Sequence, residues 1–196
     1  KIAEAYLQKY WLSTAEYKQH WQAVQERIFD MGKRLPDMIF KKNRGFVSLL
    51  GRGMLGKQGV TSLQLCMQEI GDRHFFIIED TSRMDERELS YAFRMKYPAA
   101  IGWEELMSGN YISAILFDFE ERHYYLFGDS GQWGIYIASD LIHPITLIGF
   151  EKSYSQLFRT SFKISPGEYC ENLDYIQSYK RPDINATDPP LYRKVT

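Results

Sequence analysis

The sequence has few of the features that mark specialised classes of protein. Only two cysteines occur in 196 residues, Cys66 and Cys170, and their wide separation fits neither a disulfide framework nor a metal-binding pair. We therefore expect two buried thiols in a reducing compartment. No apolar run approaches the roughly 18 residues that a membrane helix needs, and residues 1–11 lack the order of a signal peptide. These absences predict a cytoplasmic protein with no membrane association.

Metal-ligand spacing and sequence repeats are also missing. The four histidines are scattered, and no H-x-x-x-H or C-x-x-C pair occurs, so we expect no metal and no cofactor. The 44% of hydrophobic residues is enough for a sizeable core. We predict one domain over residues 1–180 and, because prolines cluster near the end, an extended tail over residues 181–196.

Helices are predicted at the N-terminus. Ser13 and Glu16 have the spacing of a capping box, and an apolar stripe at spacings of four and three follows it. The stripe comprises Tyr17, Trp21, Val24, Ile28 and Met31, which predicts a helix over 14–34 packed through Trp21, Val24 and Ile28. A shorter helix over residues 1–12 would turn Tyr6, Leu7, Tyr10 and Trp11 inward.

Strand patterns dominate the rest of the chain. Residues 45–50 predict a strand, and residues 61–69 and 73–80 predict a hairpin in which Leu63, Leu65 and Met67 alternate on one face. A helix beginning at 81 or 82 and carrying Leu89, Ala92, Phe93 and Tyr97 would end before Pro98, and a short helix would follow at 103–107. Residues 111–119, 122–127, 134–138 and 145–150 predict an antiparallel meander, and residues 165–179 a C-terminal helix. The fold class is therefore α+β, with a mainly antiparallel sheet covered by helices on one side.

A glycine-rich stretch, residues 51–57, matches two nucleotide-binding patterns incompletely. It contains G-x-G-x-x-G and G-x-x-x-x-G-K, but Gln58 stands where a phosphate-binding loop needs Ser or Thr. Because residues 60–69 look extended, no helix N-terminus is predicted to face an anion. We expect a mobile loop that binds no nucleotide.

The segment Gly128–Gly131 suggests a serine nucleophile after a strand. It resembles the nucleophile segment of chymotrypsin-like proteases over four residues, and with Phe127 it also resembles that of GDSL-type hydrolases. The latter resemblance implies a catalytic set of Ser130, Asp140 and His143, but the order differs from that family, whose histidine lies at the far end of its domain. A Gly/Asp/Ser turn between two strands explains the same residues. A serine hydrolase is therefore the alternative function.

Charge is distributed unevenly along the chain. Residues 1–60 carry +6, residues 61–150 carry −8 and residues 151–196 carry +1. The acidic segment disfavours nucleic acid as a partner and favours a protein with a basic surface. A second interpretation is that the acidic and basic segments lie side by side and cancel.

The segment 111–150 resembles bacterial immunity proteins of polymorphic and contact-dependent toxin systems. The resemblance rests on Trp133-Gly134 after the Gly-Asp-Ser-Gly turn and on residues 145–150. It implies a non-catalytic protein that neutralises a toxin by direct contact. We expect the binding surface to comprise Asp118, Glu120, Glu121, Asp129, Trp133 and Tyr136, in which carboxylates steer association and aromatic side chains anchor it.

Overall fold

The computed structural model describes residues 2–33, 35, 37–50, 55–81, 92–108, 123–138 and 145–164. The helices are α1 Ile2–Tyr10, α2 Thr14–Glu16, a π-helical turn Tyr17–Trp21, α3 Gln22–Ile28, α4 Lys57–Ile70, α5 Trp103–Met107, a 3-10 turn Lys152–Tyr154 and α6 Ser155–Ser161. The strands are β1 Arg44–Leu50, β2 His74–Glu79, β3 Arg94–Pro98, β4 His123–Gly128, β5 Trp133–Ala138 and β6 Ile145–Glu151.

The predicted helix after Ser13 is confirmed at its start and wrong at its end. The Ser13 Oγ accepts the Glu16 amide at 3.1 Å, as a capping side chain should. The helix ends at Ile28, because Phe29 is extended and bridges Phe40. Met31, which was expected on the buried stripe, is therefore exposed.

The segment predicted as the first strand of a hairpin is the long helix α4. Leu63 and Met67 are buried whereas Leu65 is 53% exposed, which is the spacing of four that one helix face requires. Gly71 ends the helix in the left-handed conformation, with a φ of 88°, so it is a helix cap rather than a hairpin turn. Cys66 lies on the same buried face, and burial raises the pKa of its thiol; Cys170 is outside the described residues.

The helix predicted to end before Pro98 is wrong over its last part, where the chain forms the strand β3. Met95 and Tyr97 face one side of the sheet and are fully buried, whereas Lys96 faces the other and lies over the Trp21 ring. Trp11, predicted to be buried with α1, is 38% exposed and bridges Met95 along the outer edge of β3. The short helix at 103–107 is confirmed.

The six strands form one antiparallel sheet in the order β1-β6-β5-β4-β2-β3. The predicted meander is confirmed for β4, β5 and β6, which pair consecutively. The predicted strand at 111–119 and helix at 165–179 lie outside the described residues, as does the proposed tail. The α+β fold class with a mainly antiparallel sheet is thus correct.

Helices and extended segments cover both faces of the sheet, so the expectation of one covered face is wrong. The first face packs against α1, α4, α5 and α6, and its core includes Tyr10, Leu63, Met67, Leu106 and Phe158. The second face packs against α3 and the described residues between 29 and 40, and its core includes Ile28, Phe29, Leu35, Ile39 and Phe40. Trp21 contributes to the second face through Phe76, with ring centroids 4.4 Å apart.

Two glycines shape the second face. Gly134 of β5 and Gly149 of β6 are cross-strand partners. A side chain at Gly134 would collide with the Phe29 ring, and one at Gly149 with the Phe40 ring. The two glycines therefore form a trough in which both aromatic rings lie against the strand backbone.

Candidate functional site at the turn between β4 and β5

The turn that carries Ser130 joins β4 to β5, as the Gly/Asp/Ser interpretation predicts. Gly131 adopts a φ of 70°, a left-handed conformation that favours glycine. The Gly131 amide donates to the Gly128 carbonyl at 3.1 Å. The Ser130 Oγ accepts the Gln132 amide at 3.2 Å, so the hydroxyl forms part of the turn itself.

A buried aspartate in the connection between α4 and β2 holds this turn. The Asp72 carboxylate accepts the Ser130 amide at 2.7 Å and the Trp133 indole Nε1–H at 2.6 Å. Gly128 is needed beside it, because any side chain there would overlap both Asp72 and Trp133. Burial raises the pKa of Asp72, although the hydrogen bonds from Trp133 and Ser130 oppose the rise.

The turn also binds the start of β2 and the residue before it, through Asp129. Asp129 accepts the Arg73 amide at 3.2 Å, and one carboxylate oxygen lies 3.4 Å from the His74 Nδ1. The Asp129 amide donates to the His74 carbonyl at 3.1 Å. We call Asp72 and Asp129, with the amides that they hold, the aspartate clasp.

An arginine from the first strand closes the other side of the turn. Arg44 donates to the Gly131 carbonyl at 2.7 Å and to the Gln132 carbonyl at 2.8 Å. Burial lowers the pKa of this guanidinium, and the carboxylate of Glu151, 3.9 Å away, opposes that effect. The turn is thus fixed from α4, β1 and β6 together.

The structure brings together Asp129, Ser130 and Trp133 but not the whole predicted binding surface. Trp133 and Tyr136 are both fully buried, on opposite faces of the sheet, so the prediction that they anchor a partner is wrong for this fold. Asp118, Glu120 and Glu121 lie outside the described residues, as do Asp140 and His143. Sequence reasoning missed Asp72 and His74, although Gly71-Asp72 after an apolar helical pattern is a recognisable cap.

The sheet has two different ends. At the turn end lie the aspartate clasp, the start of β2 and the end of β6. The opposite end, which we call the connection end, holds the ends of β1, β2 and β5 and the starts of β3, β4 and β6. The four segments next to these strand ends in the sequence are 51–54, 82–91, 109–122 and 139–144.

This arrangement bears on the alternative catalytic set. Ser130 lies at the turn end, whereas the segment holding Asp140 and His143 joins β5 to β6 at the connection end. A strand as long as β5 spans about 17 Å at the usual rise of about 3.3 Å per residue. His143 itself lies outside the described residues, so a hydrogen bond between Ser130 and His143 stays untested. Asp129 is likewise one strand length from the start of β4, which Asp118, Glu120 and Glu121 precede.

Polar and charged side chains are buried where β2, β3 and β4 meet the connection end. Glu79 is 3% exposed and accepts the Phe93 amide at 2.8 Å. Arg94 is buried and donates to the Thr14 Oγ1 at 2.7 Å. His123 is buried and hydrogen-bonds through its Nδ1 to the Tyr136 hydroxyl. Such groups need partners wherever they are buried.

Part of the acidic segment is neutralised by the basic N-terminal segment, as the second interpretation of the charges predicts. Glu105 pairs with Lys9, which lowers the pKa of the carboxyl, and Tyr10 also donates to it. Glu104 lies 3.4 Å from Lys57. Some of the negative charge counted along the sequence is therefore balanced within the fold.

The glycine-rich stretch leads into a helix, contrary to prediction. Gly56 lies at the N-terminus of α4, and Lys57 is its first residue. Beside it is a cleft of about 430 Å³, whose walls include Leu49, Leu55, Ser62, Phe162 and Lys163. Residues 51–54 are outside the described residues, and nucleotide binding stays untested.

Comparisons with other proteins add no functional assignment. No family model matches the chain, and neither a curated protein nor a solved structure is significantly similar to it. Within the described ranges, no cluster of three or more His, Cys, Asp or Glu side chains is arranged to hold a metal ion. The helices in those ranges are too short or too polar to cross a bilayer.

Proposed function

We propose that the chain is a non-catalytic protein-binding module of the immunity type. It would neutralise a toxin by direct contact with a basic surface on that toxin. The observation that carries this proposal is the topology of the connection end. The four segments next to it in the sequence contain seven Asp or Glu residues and four Lys or Arg residues. Asp118, Glu120 and Glu121 precede the start of β4 in the sequence, and we propose that they form the acidic contact surface.

The contacts of the turn end support the same proposal. Asp72, Asp129 and Ser130 resemble a catalytic constellation in composition, but hydrogen bonds within the fold engage all three. A serine nucleophile instead needs a base within reach and a nearby oxyanion donor. A binding module needs only a stable scaffold and a complementary surface.

The test is association with a captured partner at low and high salt. We expect the double reversal Glu120→Lys/Glu121→Lys to slow association at least about tenfold at low salt, with little effect on dissociation, because steering acts on the encounter. The free energy of unfolding should change by less than about 0.5 kcal/mol.

A matched control separates the position of the charge from its total. Glu26→Lys/Glu69→Lys alters the net charge equally, on exposed positions of α3 and α4. If both double variants slow association to the same extent, overall charge rather than the connection end governs binding. An acidic partner, a nucleic acid, or association indifferent to salt would reject the proposed function.

A further inference from the structure

A cleft lies on the first face of the sheet, where the start of α4 meets the residues after α6. Its volume of about 430 Å³ falls within the roughly 300–1,000 Å³ that is usual for small-molecule sites. The sheet contributes Leu49 and Thr146, which are cross-strand partners on β1 and β6 and are both buried. The cleft is therefore bounded on that side by packed positions of two paired strands.

The described lining of the cleft is polar but carries no acidic residue. Three of its residues have hydroxyl groups, which both donate and accept hydrogen bonds: Ser62, Thr146 and Ser161. Among the lining residues that the structure describes, Lys163 is the only charged one, and Leu55 belongs to the apolar part. A ligand that fits such a lining is an anion with hydrogen-bond acceptors and an apolar portion.

Lys163 has an unusual backbone conformation. Its φ of 54° is in the left-handed region, where glycine is the usual residue after a helix. The Lys163 amide donates to the Thr160 carbonyl at 3.2 Å, and the Ile164 amide donates to the Arg159 carbonyl at 3.0 Å. These two hydrogen bonds form a Schellman motif at the end of α6, which glycine in place of Lys163 would form with less strain. Strain at the wall of a cleft points to a function for the side chain that is placed there.

We propose that the cleft binds a small organic carboxylate, whose apolar part packs against Leu55 and Phe162. The carboxylate binds the Lys163 ammonium and the Ser62 hydroxyl. A carboxylate carries a single negative charge, which the lysine balances, whereas a phosphate ester carries roughly 1.5 to 2 negative charges at pH 7. The site is independent of the proposed function, because it uses none of the acidic residues assigned to the contact with a toxin.

Titration followed by amide NMR tests the proposal with phenylbutyrate as the probe. We expect a Kd of about 1 mM or tighter, with the largest shifts at Ser62, Ser161 and Lys163. Phenylbutanol, which has the same apolar part without the charge, should bind at least about fivefold more weakly. Phenylpropyl phosphate should bind no more tightly than phenylbutyrate, because its charge exceeds that of the described lining.

Variants at Lys163 separate ligand binding from stability. Lys163→Gln keeps a long side chain on the same backbone and should weaken phenylbutyrate binding at least about fivefold. Lys163→Gly should weaken it to a similar extent while the melting temperature stays the same or rises, because glycine suits the left-handed backbone. Lys152→Gln, at an exposed position outside the described lining, removes the same charge. This matched control should bind phenylbutyrate as the unmodified protein does.

Several results would overturn the proposal. They are a phenylbutyrate Kd weaker than about 1 mM, the largest amide shifts outside the cleft, or equal weakening by Lys152→Gln and Lys163→Gln. Tighter binding of phenylpropyl phosphate than of phenylbutyrate would reject the carboxylate as the ligand class. A lower melting temperature of Lys163→Gly would show that the lysine serves the fold, and would reject its assignment to a ligand.

Discussion

The two ends of the sheet differ in how their polar groups are used. At the turn end, Asp72, Asp129 and Arg44 each bind backbone groups of another segment, so the charges hold the fold together. At the connection end, Glu79 and Arg94 are also buried and hydrogen-bonded within the fold, and the segments next to them in the sequence carry additional acidic residues. This difference teaches that a motif with catalytic composition can be structural, since the hydrogen bonds of Asp72, Asp129 and Ser130 are all made within the fold.

The largest expected effect on stability comes from removing the clasp at Asp72. Asp72→Ala leaves the half-buried Ser130 amide and the buried Trp133 indole without their acceptor, which should cost about 3 kcal/mol of unfolding free energy. Urea denaturation followed by circular dichroism measures it. Glu69→Ala, at an exposed position on α4, should stay within about 0.5 kcal/mol of the unmodified protein. Equal effects of the two variants would show that the clasp stabilises the fold no more than an exposed carboxylate does.

Gly128→Ala should have the next largest effect. The added methyl group would overlap Asp72 and Trp133, and overpacking of this kind costs about 2 kcal/mol. Gly102→Ala is the matched control, since no atom lies within 4 Å of a methyl group there. Thermal unfolding of both variants checks the prediction, which fails if they melt at the same temperature.

Ser130→Ala should have the smallest effect of the three at the turn end. It removes the acceptor of the Gln132 amide, at a cost of about 1 kcal/mol, and should leave association with the partner unchanged. We also expect no labelling of the unmodified protein by a fluorophosphonate. Labelling that disappears in Ser130→Ala would restore the serine hydrolase hypothesis with Ser130, Asp140 and His143.

The sheet was predictable where β-prone runs are joined by short turns, as in β4 and β5. The errors arose where the spacing of apolar residues fits both the period of a helix and the period of a strand. Leu63, Leu65 and Met67 alternate as in a strand, but tertiary packing selects the spacing of Leu63 and Met67. Conversely, Phe93 and Tyr97 are four residues apart as in a helix, yet they belong to an extended segment.

The candidate site was predictable only in part. The turn at Gly128–Gly131 could be recognised from its residue types. Its partner Asp72 could not, because it reaches the turn through a contact between residues 58 positions apart. The burial of Trp133 and Tyr136 on opposite faces could have been inferred from their odd spacing along one strand, had both faces been expected to be covered.

The glycine trough on the second face also has a consequence for strand alignment. A slip of two residues between β5 and β6 would preserve which side chains face each core, so alternation alone does not exclude it. Such a slip would place Gly134 opposite Leu147 or Glu151, and a side chain would then occupy the space of the Phe29 or Phe40 ring. The two glycines can receive those rings only when they are directly opposite each other. Packing of Phe29 and Phe40 on these glycines therefore favours the native alignment of β5 and β6 over alignments shifted by two residues.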